Sequence, residues 1–243
     1  VLSQIGFKVH LLEGGYKGFR QQVIEDIPRL IVPLRFHIIS GRTGSGKTRL
    51  LQTLKGVGAQ VLDLEELACH RSSVLGQLPG VPQPSQKHFD TLIWEQLGHF
   101  NSQEVIFVES ESKKVGNVAV PDSLMDAMRA SPCLALALPD EERVELLMED
   151  YAFFATDTDF FCRRLDALTE IRGKAVVEDW KERVKAGDIR SVVRDLLVKH
   201  YDPGYSSSTS RNFKQFAAAK LIAAHARGTG VMDQLAHDIV KGE

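Results

Sequence analysis

The eight residues GRTGSGKT, positions 41–48, point most directly to chemistry, because they match the pattern G-x-x-x-x-G-K-[ST]. This pattern forms a loop that surrounds phosphate groups. Its glycines let several backbone N–H groups point at one anion, its lysine adds a positive charge, and its threonine hydroxyl can hold Mg²⁺. The predicted phosphate-binding residues are Gly41, Arg42, Thr43, Gly44, Ser45, Gly46, Lys47 and Thr48.

Acidic residues at the ends of two apolar runs are candidates for organising Mg²⁺ beside this loop. Glu109 ends the run EVIFVE and is the predicted metal organiser, with a solvated strand end as the alternative. Glu111 lies two residues further on, so in a continuing strand its carboxylate points the same way. Asp63 and Glu65 end the run QVLDL, where ligands bind in open α/β sheets, although Asp63 equally suits a helix N-cap.

Four more residues carry polar or charged side chains close to these acids, and a fifth follows the last apolar run. His70 and Arg71 follow Glu65, whereas Ser112 and Lys113 belong to SESKK, a run that by itself is typical of a solvated face. Arg143 begins an amphipathic helix and either reaches a phosphate or covers a surface. These five residues are further candidates for the site.

Strand and helix patterns alternate around the loop. FHIIS (36–40) predicts a strand that leads directly into the loop, and KTRLLQTLK (47–55) predicts the helix that follows it. Runs at 60–64, 104–109 and 133–138 predict further strands, with Phe89 to Phe100 at helical spacing between them. The pattern indicates an α/β fold of the P-loop NTPase type, with a mostly parallel sheet flanked by helices.

Only helical patterns follow Pro139, so a helical C-terminal region is expected at 151–243. Residues 140–151 and 188–201 give the strongest helices, 202–210 are serine-rich and predict a loop, and a last alanine-rich helix is expected at about 212–226. At the other end, KVHLL (8–12) is strand-like, with no earlier segment for it to pair with.

Composition narrows the functional classes. The chain has 243 residues and a net charge of −2, so an RNA partner would need a local basic patch. Its three cysteines are scattered, which argues against a zinc site or a disulfide framework and indicates a reducing compartment. The longest apolar run, 133–138, is too short to span a membrane. On these features alone, an ATP-dependent kinase or ATPase is favoured.

Several segments together resemble one family. The segments are LLEGGYKGFR (11–20), GRTGSGKT (41–48), QVLDLEELACHRSS (60–73), QPSQKHFD (83–90), VESESKKVG (108–116), LPDEERVELLMEDY (138–151) and YDPGY (201–205). In this order they are similar to tRNA 2-selenouridine synthase. One departure concerns Ser72, where the family usually has glycine, so the turn there is strained if it needs a positive φ.

The resemblance implies an enzyme that acts on 2-thiouridine at the tRNA wobble position, geranylates its sulfur from geranyl diphosphate and then replaces sulfur by selenium from selenophosphate. It implies a rhodanese-like domain with a reactive cysteine before the phosphate-loop domain. Residues 1–20 are then the tail of a truncated rhodanese-like domain, 21–150 the P-loop α/β domain and 151–243 the helical region. The chain, which starts with Val1, is expected to begin inside a longer protein and to lack the cysteine for selenation.

The chemistry of the residues agrees with this resemblance. We expect Lys47, Thr48 and the loop amides to bind the diphosphate and Glu109 to organise Mg²⁺, with Arg71, Lys113 and Arg143 as candidates to neutralise further charge. The expected catalytic residues are Lys47, Glu109 and Arg71, with Thr48 and Glu109 as metal ligands. A basic tRNA surface is expected from Lys181, Arg183, Lys185, Arg190, Arg194, Lys199 and Arg211.

Two alternatives remain beside this transferase. One is the small-molecule kinase or ATPase, and the other is a non-catalytic module that docks nucleotide or tRNA. The protein is expected in the cytoplasm without a membrane segment, and a monomer is compatible with the sequence.

Overall fold

A mostly parallel sheet carries the phosphate loop in the computed structural model, which describes residues 3–223 and 230–242. The sheet has five strands in the order β2-β3-β1-β6-β7, and each adjacent pair is parallel. A separate antiparallel hairpin is formed by β4 and β5. The strands are β1 (Arg35–Gly41), β2 (Gln60–Leu62), β3 (Val105–Glu109), β4 (Lys114–Val115), β5 (Val118–Ala119), β6 (Cys133–Ala137) and β7 (Lys220–Ala223).

Helices connect these strands and form most of the second half of the chain. One π-helical segment, Leu197–Tyr201, lies between α11 and α12. The α-helices are α1 (Gly15–Ile31), α2 (Lys47–Gly56), α3 (Leu64–Ala68), α4 (Gln86–His99), α5 (Asp122–Ala130), α6 (Asp140–Asp150), α7 (Ala152–Thr156), α8 (Thr158–Asp166), α9 (Thr169–Arg172), α10 (Lys174–Lys185), α11 (Ile189–Leu196), α12 (Asp202–Asn212) and α13 (Val231–Lys241).

Both faces of the sheet are covered, which is why its strands read as continuous apolar runs rather than alternating ones. Ile38 of β1 belongs to a buried cluster that includes residues of α1, α4 and α5. Its neighbour Ile39 points to the other face and belongs to a cluster with Leu50 and Leu54 of α2 and Ala236 of α13. The alternating strands and helices therefore form the predicted α/β fold, and its P-loop NTPase-like architecture is confirmed.

The second half of the chain has its own buried cluster. It contains Trp180 of α10, which is fully buried, together with side chains of α6, α7, α8 and α11. Val144 of α6 belongs to the same cluster, so the helix that follows β6 connects the sheet to the helical region. The C-terminal region is mostly helical as predicted, although β7 lies within it. Among the described helices, none has the length and apolar character needed to cross a membrane.

Three local predictions were wrong. The alanine-rich segment predicted as a helix at 212–226 contains β7, which pairs with β6, because edge pairing outweighs the helix propensity of alanine; residues 224–226 lie outside the described part of the chain. The serine-rich segment at 202–210 belongs to α12, whose first residue, Asp202, is held by Arg143. Residues 8–12 form no strand in the described structure, and all five are exposed.

The central position of β1 gives a stability test. We expect Ile38→Ala, at a fully buried site between β3 and β6, to lower the free energy of unfolding by about 2–5 kcal/mol. The matched control is Val32→Ala, whose side chain is 82% exposed, and its effect should stay within about 0.5 kcal/mol. Urea unfolding followed by circular dichroism measures both, and equal losses would contradict this placement of the core.

Candidate functional site

The phosphate loop connects β1 to α2 at the carboxyl end of the sheet. Gly44 and Gly46 have φ values of 77° and 86°, in the left-handed region that favours glycine. A Cβ at Gly44 would also lie 2.9 Å from the carbonyl oxygen of Arg143, so the loop packs closely against α6. Gly46 is the N-cap of α2, and the helix therefore directs its free N–H groups and positive dipole end into the loop.

The loop opens onto a cavity of about 500 Å³. Lys47 donates a hydrogen bond from Nζ to the carbonyl oxygen of Gly41, 3.1 Å away, which holds its charge over the loop. Ser45 is buried, and its Oγ has no hydrogen-bond partner among the described residues. Lining residues predicted from the sequence are Gly41, Thr43, Gly44, Ser45, Gly46, Lys47, Thr48, Glu65, Arg71, Glu109, Glu111 and Ser112.

Three carboxylates meet in this cavity. Carboxylate oxygens of Glu65, Glu109 and Glu111 all lie within 4.8 Å of one another. Glu109 ends β3, and Glu65 is in the first turn of α3, after the neighbouring strand β2. Glu111 follows a tight turn in which its N–H donates to the carbonyl oxygen of Glu109 at 2.8 Å. The two glutamates of this segment therefore converge, although the strand ends at Glu109 rather than continuing.

Burial favours the protonated form of these three glutamates. Burial, followed by the charge of Glu111, raises the pKa of Glu65 to about 8. Burial also raises the pKa of Glu109 and of Glu111, and the neighbouring carboxylates raise that of Glu109 further. The Lys47 ammonium acts in the opposite direction on all three. A cation bound among the three carboxylates would stabilise their ionised forms and so lower their pKa values.

The donor set fits Mg²⁺. Carboxylate and hydroxyl oxygens are the ligands this ion takes in phosphate sites, and Thr48 lines the cavity with the three acids. Glu109 is 1% exposed, and its Oε1 has no hydrogen-bond partner within the described part of the chain. Because an unpaired buried carboxylate oxygen is costly, it indicates a position where a ligand or ion supplies the missing contact.

The segment after α3 closes one side of the cavity. Arg71 places its guanidinium over the ring of Tyr151, 4.7 Å from the centroid, and lines the cavity. Ser72 has a φ of 23° and donates a hydrogen bond from its hydroxyl to Glu111. The position expected to need a positive φ therefore has one, and the serine uses its side chain to hold one of the three acids.

Arg143 supports the loop from behind. It is 1% exposed, and its Nε donates to the carbonyl oxygen of Thr43 at 2.9 Å. The rest of its guanidinium binds Asp140 and Asp202, at 2.9 and 2.6 Å. Its predicted role in neutralising phosphate charge does not fit this placement, because its donors are already occupied and it does not line the cavity.

Four other predicted residues lie outside the cavity lining. Asp63 accepts a hydrogen bond from the backbone of α3, so the N-cap alternative describes its observed contact. Lys113 pairs with Asp122 on the surface. His70 is buried and lies on an isolated β-bridge, and the partly exposed Arg42 pairs with Asp202 at 3.8 Å.

The expected tRNA surface consists largely of paired charges. Five of its seven predicted members form ion pairs with acidic side chains. These pairs are Lys181 with Asp166 and Glu178, Arg183 with Asp179 and Asp195, Arg190 with Glu141 and Glu145, Arg194 with Glu141, and Lys199 with Asp195.

Sequence reasoning missed the apolar wall of the cavity. Leu147 and Tyr151 of the α6 region, Tyr201 of the π-helical segment and Phe213 line the same cavity as the acids. Leu147 and Tyr151 are four residues apart and lie on one helix face, a spacing that indicates a common surface but not what that surface meets.

Comparisons with known proteins point to one family. Residues 34–163 match the family described as tRNA 2-selenouridine synthase AAA domain. The tRNA 2-selenouridine synthase of Hydrogenovibrio crunogenus is 32% identical over 84% of this chain and 62% of its own length. That of Alcanivorax borkumensis is 37% identical over 86% of this chain and 64% of its own. The chain thus spans less than two thirds of these relatives.

The raised pKa of Glu65 gives a pH prediction. Between pH 4.5 and about 8 an unfolded Glu65 loses its proton while the folded one keeps it, so stability falls as pH rises. In EDTA, we expect Glu65→Gln to melt about 3 °C or more above the parent at pH 8, which is about 1 kcal/mol for a chain of this size. At pH 4.5 the two should melt together.

The control for this prediction is Glu66→Gln on the same helix, whose side chain is 62% exposed. It should leave the pH dependence of melting unchanged. A Glu65→Gln variant that melts below the parent at pH 8 would show that the folded protein stabilises the ionised carboxylate.

Proposed function

This chain belongs to the tRNA 2-selenouridine synthase family, and from that premise we propose that it binds the diphosphate of a prenyl diphosphate during modification of tRNA wobble 2-thiouridine. One observation carries the proposal: the cavity at the phosphate loop is lined both by charged groups and by apolar side chains. The charged groups suit a diphosphate, and the apolar side chains suit a hydrocarbon group.

The charged and polar groups of the cavity can bind a diphosphate leaving group. The backbone N–H groups of the loop and the first turn of α2 bind its oxygens, and Lys47 adds a positive charge. Arg71, held against Tyr151, lines the same cavity and contributes a second cation. These contacts become stronger as the allylic C–O bond breaks and negative charge grows on the diphosphate, so they favour that step.

The reaction proposed for geranyl diphosphate is a substitution at carbon. The thiouridine sulfur forms an S–C bond to the first carbon of the geranyl group, and the C–O bond to diphosphate breaks. The leaving diphosphate takes the electron pair and remains at the loop. The product is S-geranyl tRNA and free diphosphate.

Mg²⁺ is the proposed cofactor, held by Thr48, Glu109 and the two neighbouring acids, Glu65 and Glu111. When bound, it neutralises part of the diphosphate charge. The two added residues are proposed as ligands because their carboxylate oxygens lie within 4.8 Å of those of Glu109.

Selenation is proposed as the step that follows geranylation in this family. Replacement of the sulfur by selenium from selenophosphate is expected to need a reactive cysteine. Cys133 and Cys162 are buried and Cys69 is half-buried, and none of the three lines the cavity in the described structure. Residues 1–20 are proposed as the tail of a rhodanese-like domain, before the phosphate-loop domain (21–150) and the helical region (151–243). Because tRNA is the proposed substrate, we place the enzyme in the cytoplasm.

ATP is the competing ligand. Phosphate loops with a nearby strand-end carboxylate and Mg²⁺ also occur in kinases and ATPases, and the acids around Glu109 fit such a site equally well. Tight Mg²⁺-dependent binding of ATP, with none of geranyl diphosphate, would replace the transferase by this alternative. A chain that binds both thiolated tRNA and the prenyl diphosphate without transferring the geranyl group would be a docking module.

Lys47 tests the role of the loop. We expect Lys47→Ala to weaken Mg²⁺-dependent binding of geranyl diphosphate by about 10- to 100-fold, the range for one lost charge-assisted hydrogen bond. Lys55→Ala is the matched control, because Lys55 lies on the same helix but is exposed and pairs with Glu66. Titration calorimetry measures the binding, and geranylation of thiolated tRNA measures transfer. Unchanged binding in Lys47→Ala would contradict the assignment.

A further inference from the structure

A second, smaller cavity lies beside the phosphate cavity. Its free volume is about 40 Å³, which is little more than the space of one small group. The two cavities share a wall that includes Thr43 of the phosphate loop, Leu147, Tyr151 and Tyr201. The small cavity is therefore adjacent to the phosphate cavity and borders the loop at Thr43.

The walls of the small cavity are almost entirely apolar. Leu75 comes from the segment after Arg71, Phe154 and Phe161 come from α7 and α8, and Val193 and Leu196 come from α11. Phe154 and Phe161 stack with their ring centroids 4.3 Å apart, so the end of the cavity is a rigid aromatic surface. An apolar surface of this kind offers hydrogen-bond partners to neither a purine base nor a sugar.

The two tyrosines on the shared wall direct their polar atoms elsewhere. Ser73 is a hydrogen-bond partner of both phenol groups. Burial is the largest cause of the raised pKa of each phenol, and that of Tyr201 reaches about 12, so both hydroxyls stay protonated. With their hydroxyls bound at Ser73, the rings present carbon to the cavity.

We propose that this side cavity receives the terminal carbons of the prenyl chain whose diphosphate is held at the phosphate loop, and that its wall sets the length of chain accepted. The inference rests on the proposed function. The occupant is inferred from the adjacency of the two cavities. A ligand that fills both the phosphate loop and the adjoining apolar cavity has a phosphate head and a hydrocarbon tail. Because the free volume is small, the cavity takes the two methyl groups that end the chain.

The experiment compares inorganic diphosphate with geranyl and farnesyl diphosphates by titration calorimetry in the presence of Mg²⁺. We expect geranyl diphosphate to bind at least about 15-fold more tightly than inorganic diphosphate. This ratio corresponds to two buried terminal methyl groups at about 0.8 kcal/mol each. Equal affinities would overturn the inference. Failure of all three ligands to bind would overturn the proposed function, and the inference with it.

Val193→Phe fills the cavity. It should reduce the affinity for geranyl diphosphate by about 15-fold, the contribution of the two terminal methyl groups. The affinity for inorganic diphosphate should be unchanged and serves as the measure of folding. The matched control is Val198→Phe, because Val198 lies in the neighbouring π-helical segment and is 55% exposed. Retention of tight geranyl diphosphate binding by Val193→Phe would overturn the inference.

Phe154→Leu enlarges the same cavity. It tests whether the cavity wall contacts the prenyl chain even if Val193→Phe does not fold. We expect the affinity ratio of farnesyl to geranyl diphosphate to rise about tenfold over the parent, since two or more further carbons then become buried. An unchanged ratio, with inorganic diphosphate still bound as in the parent, would show that this wall does not contact the chain.

Discussion

Three carboxyl groups, two of them buried and one half-buried, share a cavity with one lysine of the phosphate loop, and the rest of the site depends on this excess of acidic groups. Glu65, Glu109 and Glu111 are close enough that each carboxylate opposes the ionisation of another, and burial makes every charge costly. Lys47 compensates only part of this charge. The site therefore favours protons on these groups when it is empty and a cation when it is filled, so its charge changes with its ligand.

Residues that do not face the cavity hold this arrangement in place. Asp63 caps α3 and so fixes the helical turn that carries Glu65. Arg143 binds the backbone of the phosphate loop on one side and Asp202 on the other, which connects the loop to α6 and α12. Removing one partner of a buried arginine destabilises the protein. The Arg143–Asp202 pair therefore couples the helical region to the loop. The side cavity lies at the same junction.

Local patterns were sufficient to predict the parts of the fold that local interactions determine. The phosphate loop is recognised from eight adjacent residues, because its glycines and Lys47 act within one turn of the chain. The strands around Ile38 and Val108 follow from continuous apolar runs, and the helix from Asp140 follows from its spacing. The order of motifs along the chain was also sufficient for the resemblance to tRNA 2-selenouridine synthase, and the comparisons confirmed the family.

The remaining features were decided by contacts between distant segments. Residues Lys220–Ala223 are a strand because β6 offers a free edge, which no property of that alanine-rich segment predicts. Glu65 joins Glu109 because β2 pairs with β3, and Arg143 turns away from the cavity because Asp202, 59 residues later, binds it. The sequence determined which groups are available for phosphate and metal chemistry. Their distances, burial and charge states depend on long-range packing, so only the tertiary structure decided which of them act together.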